Sequence, residues 1–368
     1  MQQSIFQLAT AGVQTLVPYQ PGKPVSELER ELGLTEVVKL ASNENPLGPS
    51  EKVKRALQAS FTDLSRYPDG NGFALKTALS SKWGVDSSQI TLGNGSNEIL
   101  ELLARAFLTT ENEVIFSQHA FAVYPLVTQA VGAIAKVIPA QNYGHDLSAM
   151  LAAITDKTRL LFIANPNNPT GTYLTEQALS EFLAAVPGHV ICVLDEAYFE
   201  YVDKNDYPDS VAWLSKYTNL VITRTFSKAY GLAGLRIGYS LSSPEMADIL
   251  NRVRQPFNNN ALALAAAEVA INDTEYLAST IALNNAGMQQ LTNGFAEIGL
   301  PWIESVGNFV SVDMQREAAS LNTALLHKGV IVRPVANYEM PNHLRISIGT
   351  HAENGFFITA LKAVLADV

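Results

Sequence analysis

Cysteine is almost absent from this chain of 368 residues, because Cys192 is the only one. One cysteine cannot form a disulfide within the chain, which excludes a disulfide-stabilised fold and favours a protein of the reducing cytoplasm. Histidine is also sparse, and the six histidines lack the short spacings that metal ligands show, so we expect no metal site.

Positive charge and long apolar runs are scarce as well. The 25 lysines and arginines are outnumbered by 35 acidic residues, and a net charge of −10 is unsuited to nucleic-acid phosphates. The most apolar stretch, residues 261–271, contains Glu268 and falls short of the ~20 residues that a membrane-spanning helix needs. Residues 1–10 lack the pattern of a secretory signal. We therefore predict a globular protein with no nucleic-acid partner and no membrane partner.

Short apolar segments of strand length alternate with helical segments in the middle of the chain. The predicted strands are Gln89–Leu92, Glu113–Phe116, Ala135–Pro139, Arg159–Ala164, His189–Leu194, Leu220–Thr223 and Ile237–Leu241. Several are nearly all apolar, as expected of strands that helices cover on both faces. This alternation predicts an α/β fold with a mostly parallel sheet of seven strands.

The composition changes on both sides of this region. Residues 1–45 contain three prolines with little periodicity and are predicted to form an N-terminal arm. Residues 46–260 would form the large α/β domain. Residues 261–368 begin with an alanine-rich helix, continue with predicted strands at Phe309–Asp313, Val330–Pro334 and Leu344–Ile348, and end in a helix. We expect a small α+β domain there.

A turn rich in glycine and hydroxyl groups follows the first of the seven predicted strands. Gly93 and Gly95 permit a tight turn, and Ser96 adds a hydroxyl at a helix N-terminus, which is a favourable place for a phosphate. An ordinary strand-to-helix turn with Ser96 as N-cap is the alternative. Glu98 stands where a dinucleotide fingerprint requires its third glycine, and it should point away from a phosphate.

Three further segments place polar residues after predicted strands. The loop 164–171 contains two prolines and can aim an asparagine amide inward, Asp195 ends an apolar strand, and Tyr198 follows it. Lys228 lies among small residues, where partial desolvation makes a lysine nucleophilic towards aldehydes. A phosphate site, a carboxylate for a ring nitrogen and an amine for an imine together describe pyridoxal 5'-phosphate.

Residues 225–234, Thr-Phe-Ser-Lys-Ala-Tyr-Gly-Leu-Ala-Gly, resemble the lysine signature of the class II branch of the fold type I pyridoxal-phosphate aminotransferases. The resemblance implies that Lys228 holds the cofactor covalently and that Asp195 keeps its ring nitrogen protonated. It implies that Asn168 and Tyr198 hydrogen-bond the ring oxygen. The phosphate would be surrounded by Ser96, Asn97, Thr225, Ser227 and Arg236.

The same resemblance implies two further aromatic residues and an oligomeric state. Tyr124, in the segment 121–125, is similar to the aromatic residue that stacks on the cofactor ring. Tyr67, in the segment 66–70, resembles a tyrosine that reaches the phosphate of the neighbouring subunit. The implied protein is a homodimer with shared active sites.

Segments at 17–24, 40–48, 329–334 and 344–349 are similar to the histidinol-phosphate aminotransferase family. The similarity implies that Arg333 and Arg345 bind the substrate anion, and that Tyr19 and Asn43 contact substrate. The implied reaction, a step of histidine biosynthesis, converts L-histidinol phosphate and 2-oxoglutarate to imidazole acetol phosphate and L-glutamate.

Other functions stay open at this point. Within the same fold, an aromatic amino-acid aminotransferase or a threonine-phosphate-type decarboxylase would use similar residues. A nicotinamide-dependent dehydrogenase would also be a two-domain α/β protein, but the glycine fingerprint is broken at Glu98. A binding protein without catalysis would need no lysine in such a setting.

Overall fold

The structure is a computed structural model that describes residues 4–18 and 22–367. Its strands are β1 (Val38–Lys39), β2 (Ile90–Gly93), β3 (Glu113–Ser117), β4 (Ile134–Ile138), β5 (Thr158–Ala164), β6 (Ile191–Asp195), β7 (Leu220–Thr225), β8 (Gly238–Leu241), β9 (Trp302–Ile303), β10 (Phe309–Asp313), β11 (Val330–Ile331), β12 (Arg333–Pro334) and β13 (His343–Ser347). Its helices are α1 (Ala11–Gln14), α2 (Val25–Leu32), α3 (Glu51–Ser60), α4 (Phe73–Trp83), α5 (Ser96–Phe107), α6 (Val123–Ala130), α7 (Leu147–Ala152), α8 (Glu176–Ala185), α9 (Pro244–Val253), α10 (Ala261–Ala270), α11 (Thr274–Glu297), α12 (Ala318–His327) and α13 (His351–Ala366). Among these helices, none combines the length and apolar character that crossing a membrane requires.

The strands β2 to β8 form one sheet of seven strands, in the order β2-β8-β7-β6-β5-β3-β4. Strand β8 is antiparallel to both of its neighbours, and the other adjacent pairs are parallel. The predicted mostly parallel sheet is therefore confirmed, and each observed strand overlaps its predicted segment. In the register, Ala164, Asp195 and Thr223 lie side by side at the carboxyl ends of β5, β6 and β7. Open parallel sheets bind their ligands at this edge.

Helices cover both faces of the sheet because successive residues of a strand point to opposite sides. Leu161 and Leu194 pack into one buried cluster, together with residues of α4, α8 and α10. Their chain neighbours Phe162 and Val193 pack into a second cluster, with residues of α5, α6 and α9. The apolar runs in the sequence reflect this burial on both faces.

The C-terminal part of the chain forms a second unit with its own core. Its antiparallel sheet has the order β12-β13-β10-β9, and α11, α12 and α13 contribute Phe295, Leu321 and Phe357 to the core. Strand β1 pairs with β11, and Val38 and Leu40 are buried in this same core. The division into residues 1–45, 46–260 and 261–368 stays a prediction.

Two details of this unit differ from the sequence expectation. The segment 330–334 is divided at Val332 into β11 and β12, and the prediction of one continuous strand is wrong because the two halves pair with different partners. The helix α11, with 24 residues, was not predicted.

Candidate active site

A cavity of about 230 Å³ lies at the carboxyl edge of the large sheet, against the second unit. Most of the residues predicted for the site line it. They are Asn43, Ser96, Asn97, Asn168, Asp195, Tyr198, Thr225, Ser227, Lys228, Arg236, Arg333 and Arg345. These side chains come from distant parts of the sequence, and the fold brings them to one place.

Lys228 follows the end of β7 and is half-buried beside the cavity. Its ammonium nitrogen donates a hydrogen bond to the carbonyl oxygen of Ser42 at 3.1 Å and lies 5.6 Å from the ring centre of Tyr198. Burial, and next the positive charge of Arg345, lower the pKa of Lys228 to about 7. A substantial part of this amine is therefore neutral near pH 7 and can act as a nucleophile or a base.

Asp195 is the last residue of β6, and its carboxylate is buried. The hydroxyl of Tyr124 donates to Oδ2 at 2.9 Å, and the hydroxyl of Thr223 donates to Oδ1 at 3.1 Å. Burial nevertheless raises the pKa of Asp195 to about 6, because the hydrogen bonds only partly offset the loss of water. A cation placed beside this carboxylate would stabilise its charged form.

Tyr124 lies beside the site, but its ring does not face the cavity. The side chain is fully buried in α6 and stacks on Phe162, with ring centres 4.6 Å apart and planes 6° apart. The stacking role implied for Tyr124 does not fit this geometry, and its observed contact with the site is the hydrogen bond to Asp195. Phe121, which the sequence analysis missed, lines the cavity instead. Phe121 opens the segment 121–125 that resembles the family's stacking motif, and it follows β3 by four positions.

Three amide and hydroxyl side chains meet on the second-unit side of the cavity. The hydroxyl oxygen of Tyr198 accepts a hydrogen bond from Nδ2 of Asn43 at 3.0 Å and from Nδ2 of Asn168 at 3.2 Å. A hydroxyl oxygen has two acceptor sites, so both are used and the O–H hydrogen is left for a different acceptor. Burial raises the pKa of Tyr198 to about 12, so the hydroxyl keeps that hydrogen at neutral pH.

Hydroxyl groups and a guanidinium form the other end of the cavity. Ser96 is the first residue of α5, and the N-cap is Gly95, so the reading of Ser96 as N-cap is wrong. Nη1 of Arg236 donates to the hydroxyl of Ser227 at 3.2 Å. Gly95 has a φ of 78°, a conformation that favours glycine, and a Cβ atom there would also lie 2.4 Å from Nη2 of Arg236. Thr225 donates to the same Ser227 hydroxyl at 3.0 Å.

The predicted orientation of Glu98 is confirmed. Its Oε2 accepts hydrogen bonds from the backbone N–H of Asn94 and from Nδ2 of Asn258, both at 2.5 Å. The carboxylate is thereby held outside the hydroxyl-lined end, which leaves that end suited to an anion.

Two arginines lie side by side on the second-unit wall. Arg333 in β12 and Arg345 in β13 are register partners. Nη1 of Arg345 donates to Oδ1 of Asn168 at 2.6 Å, and Nη2 donates to the carbonyl oxygen of Ala41 at 2.7 Å. Like charges opposite each other on neighbouring strands are destabilising, so this arrangement favours an anionic ligand.

Of the predicted site residues not yet placed, one lies away from the cavity and one is outside the part of the chain that the structure describes. Tyr67 is 82% exposed, stacks on Phe257 with ring centres 4.7 Å apart, and is not among the described residues that line this cavity. Tyr19 lies outside the described residues. Tyr338, which no motif indicated, lines the cavity from the second unit.

Comparisons with known proteins agree with this architecture. A family model described as "Aminotransferase class I and II" matches residues 35–361, so the chain belongs to the class I and II aminotransferases. Histidinol-phosphate aminotransferase 2 of Pseudomonas fluorescens strain Pf-5 is 62% identical over 98% of both chains, and histidinol-phosphate aminotransferase 1 of Idiomarina loihiensis is 60% identical over 97% of both. The chain belongs to the histidinol-phosphate aminotransferase family.

A solved structure extends the similarity to the fold. The crystal structure of histidinol-phosphate aminotransferase from Sinorhizobium meliloti in complex with pyridoxal-5'-phosphate is similar with a TM-score of 0.90 at 29% identity. The similarity covers 97% of both chains. It bears out the predicted fold type.

Proposed function

We propose that the protein binds pyridoxal 5'-phosphate at Lys228 and transfers the amino group of L-histidinol phosphate to 2-oxoglutarate. The products are imidazole acetol phosphate and L-glutamate, and the reaction is a step of histidine biosynthesis. The observation that carries this proposal is the pairing of Lys228, whose pKa is lowered to about 7, with the buried Asp195 in one cavity. This pairing suits an aldehyde cofactor with a basic ring nitrogen.

The residues of the cavity fit this cofactor at each of its polar groups. The hydroxyls of Ser96 and Ser227 and the guanidinium of Arg236, which together line one end of the cavity, would hold the phosphate. Asp195 would face the ring nitrogen, and Phe121 would provide an aromatic wall. When bound, the cofactor supplies an aldehyde that forms imines with amines and a ring that withdraws electrons from the neighbouring carbon.

The chain's own residues orient the substrate and move protons. Asp195 would keep a proton on the ring nitrogen, because that cation would stabilise its buried carboxylate. The O–H of Tyr198 would be available to donate to the ring oxygen, since Asn43 and Asn168 already occupy its acceptor sites. The neutral amine of Lys228 would serve as the base that takes a proton from the substrate carbon and as the acid that returns it.

Arg333 and Arg345 provide the anion site that both half-reactions need. Histidinol phosphate carries a phosphate ester where glutamate carries a carboxylate, and guanidinium groups bind either anion through paired hydrogen bonds. Asn43 bonds Tyr198 of the large unit and Ser347 of the second unit. It would therefore lie between the bound cofactor and the bound substrate.

Replacing Lys228 by alanine tests the proposal most directly. Lys228→Ala should lower kcat by at least ~10⁴-fold and abolish the visible absorbance of the bound cofactor, because both depend on the amine. Lys204→Ala, which changes an exposed lysine, should leave kcat and the absorbance unchanged. A coloured and active Lys228→Ala protein would contradict the assignment.

A comparison of substrates separates the proposed reaction from its alternatives. We expect kcat/KM to be highest for L-histidinol phosphate, lower for phenylalanine, and no release of carbon dioxide from threonine phosphate. Higher kcat/KM for phenylalanine would indicate an aromatic amino-acid aminotransferase, and carbon dioxide release would indicate the decarboxylase.

We also propose that the protein is a cytoplasmic homodimer. Large hydrophobic side chains are exposed between the end of α3 and the first residue of α4, and on the loop before α10, where they would suit an interface with a second copy. They are Phe61, Leu64, Tyr67, Phe73 and Phe257. Tyr67 would then reach the phosphate of the partner's cofactor. Sedimentation equilibrium should give twice the chain mass of 39.8 kDa, and a monomer that retains full activity would refute this arrangement.

A further inference from the structure

Two neighbouring residues of the large unit contact two neighbouring residues of the second unit beside the cavity. Gln118 and His119 follow β3, Tyr338 is the last residue of the short 3-10 helix Ala336–Tyr338, and Glu339 is its C-cap. Nδ1 of His119 lies 2.7 Å from the carbonyl oxygen of Tyr338, and Nε2 of Gln118 donates to Oε2 of Glu339. We call this pair of contacts the 118–339 bridge.

The direction of the histidine contact follows from its partner. A carbonyl oxygen can only accept, so Nδ1 of His119 carries the hydrogen in this bond. His119 is buried, and its own carbonyl oxygen accepts from Nδ2 of Asn167 at 3.0 Å. Asn167 immediately precedes Asn168 in the loop that contacts Tyr198 and Arg345. His119 is therefore anchored to the same loop that orients the polar side chains of the site.

Tyr338 is the residue whose position depends on this bridge. It is 5% exposed, lines the cavity, and packs against Val335 and Met340. Its carbonyl oxygen bonds His119, and the next residue, Glu339, has a φ of 59°. A non-glycine residue with this φ is strained, so contacts from outside the turn must hold it.

We infer that His119 is a positioning residue for the substrate. It holds the backbone of Tyr338, so that the Tyr338 side chain lines the same cavity as Arg333 and Arg345. The identity of the substrate rests on the proposed function, whereas the bridge itself does not. His119 acts on the second-unit wall, so its loss changes substrate binding and leaves the cofactor site as it is.

Amide hydrogen exchange of the cofactor-loaded protein tests the bridge without any assay of activity. His119→Ala should speed up exchange in residues 335–340, because the Tyr338 carbonyl loses its partner. His119→Asn should exchange like the unmodified protein, because its Nδ2 occupies nearly the place of the histidine Nδ1. If the alanine variant does not fold, His119→Gln replaces it, since its amide nitrogen lies one bond further out. Equal exchange in all variants would overturn the inference.

Steady-state kinetics then test the consequence for substrate. In His119→Ala, KM for histidinol phosphate should rise about tenfold while kcat stays within about twofold, as expected when one buried hydrogen bond is lost from a binding wall. His119→Asn should restore KM, and the absorbance of the bound cofactor should not change in either variant. The control is His189→Ala, an exposed histidine that also contacts a backbone carbonyl. An unchanged KM, or a loss in kcat alone, would overturn the inference. An unmodified protein that does not turn over histidinol phosphate would instead refute the proposed function.

Discussion

The two walls of the cavity are built in different ways. On the large-unit wall, Asp195 and Thr223 are register partners on neighbouring strands, and Lys228 follows the end of the second of these strands by three positions. On the second-unit wall, Arg345 bonds Ala41, a residue from the other end of the chain. The large-unit wall is therefore encoded in short segments at strand ends, and the second-unit wall depends on contacts between distant segments.

The walls also differ in how charge is handled. Burial raises the pKa of Asp195 to about 6 and lowers the pKa of Lys228 to about 7. Arg333 and Arg345 are two guanidinium groups on neighbouring strands, and they are register partners. The first wall is suited to moving protons, and the second to holding an anion.

Among the substitutions that test this difference between the two walls, the replacement of Asp195 should have the largest effect on catalysis. Asp195→Asn keeps the shape and the contact with Thr223 but removes the charge that stabilises a protonated ring nitrogen. We expect kcat to fall about 10³-fold with little change in substrate KM. Single-turnover kinetics measure the loss, and Asp156→Asn, at an exposed position, serves as the control. An Asp195→Asn enzyme within tenfold of the original kcat would place the proton chemistry elsewhere.

A smaller effect of a different kind is expected at Arg345. Arg345→Lys keeps the charge but loses the fork that bonds Asn168 and Ala41, so KM for both substrates should rise about 10- to 100-fold. Arg345→Gln should raise KM further. If kcat fell instead and KM stayed the same, the assignment of proton transfer to the large-unit wall and anion binding to the second-unit wall would be wrong.

The same pair of variants predicts a change in pH dependence. The positive charge of Arg345 helps to lower the pKa of Lys228 to about 7, so the amine loses its base function as pH falls below that value. Arg345→Gln removes this charge and should move the acidic limb of the single-turnover rate to higher pH. Arg345→Lys should leave the limb in place. A limb that does not move in Arg345→Gln would show that another group controls it.

The smallest expected effect is a change in the free energy of unfolding when Glu200 is replaced. Both carboxylate oxygens of Glu200 are buried without a hydrogen-bond partner, and burial raises the pKa of Glu200 to about 8. The folded protein therefore binds this proton more tightly than the unfolded chain, and stability from this group is lost as pH rises through about 8. Glu200→Gln should increase the free energy of unfolding by ~1–2 kcal/mol at pH 9 and change it little at pH 4.

Glu196→Gln is the matched control for that measurement. Oε2 of Glu196 accepts from Nε and Nη2 of Arg224 at 2.9 and 2.8 Å, and both residues are buried. Breaking this pair should destabilise the protein at every pH. Denaturant unfolding at two pH values distinguishes the variants. A destabilised Glu200→Gln at pH 9 would mean that the charged carboxylate has a partner after all.

The sequence predicted the parts that local pattern determines. The apolar runs located the seven strands, and the residues that follow them, such as Asp195 and Lys228, were assigned to the cavity that they line. The sequence could not show that Phe121 and not Tyr124 lines the cavity, because both residues are aromatic and lie three positions apart. Only the packing of Tyr124 on Phe162 decides which ring reaches the cavity.

Long-range contacts account for the rest of what was missed. Tyr338 carries no motif, and it lines the site because a histidine from another unit bonds its backbone. The division of 330–334 at Val332 likewise depends on which strands its halves pair with. Neither feature is visible in the segment itself.

The pairing of β1 with β11 has a consequence for biosynthesis. Val38 leaves the ribosome early, but its partner Val330 is made only after the entire large sheet. Domains fold as units in the order of synthesis. The large unit can therefore fold before the rest of the core that buries Val38 and Leu40 has been synthesised. A nascent chain interrupted before residue 330 would then contain Lys228 and Asp195 but lack Arg333 and Arg345, so it would carry only one of the two walls of the cavity.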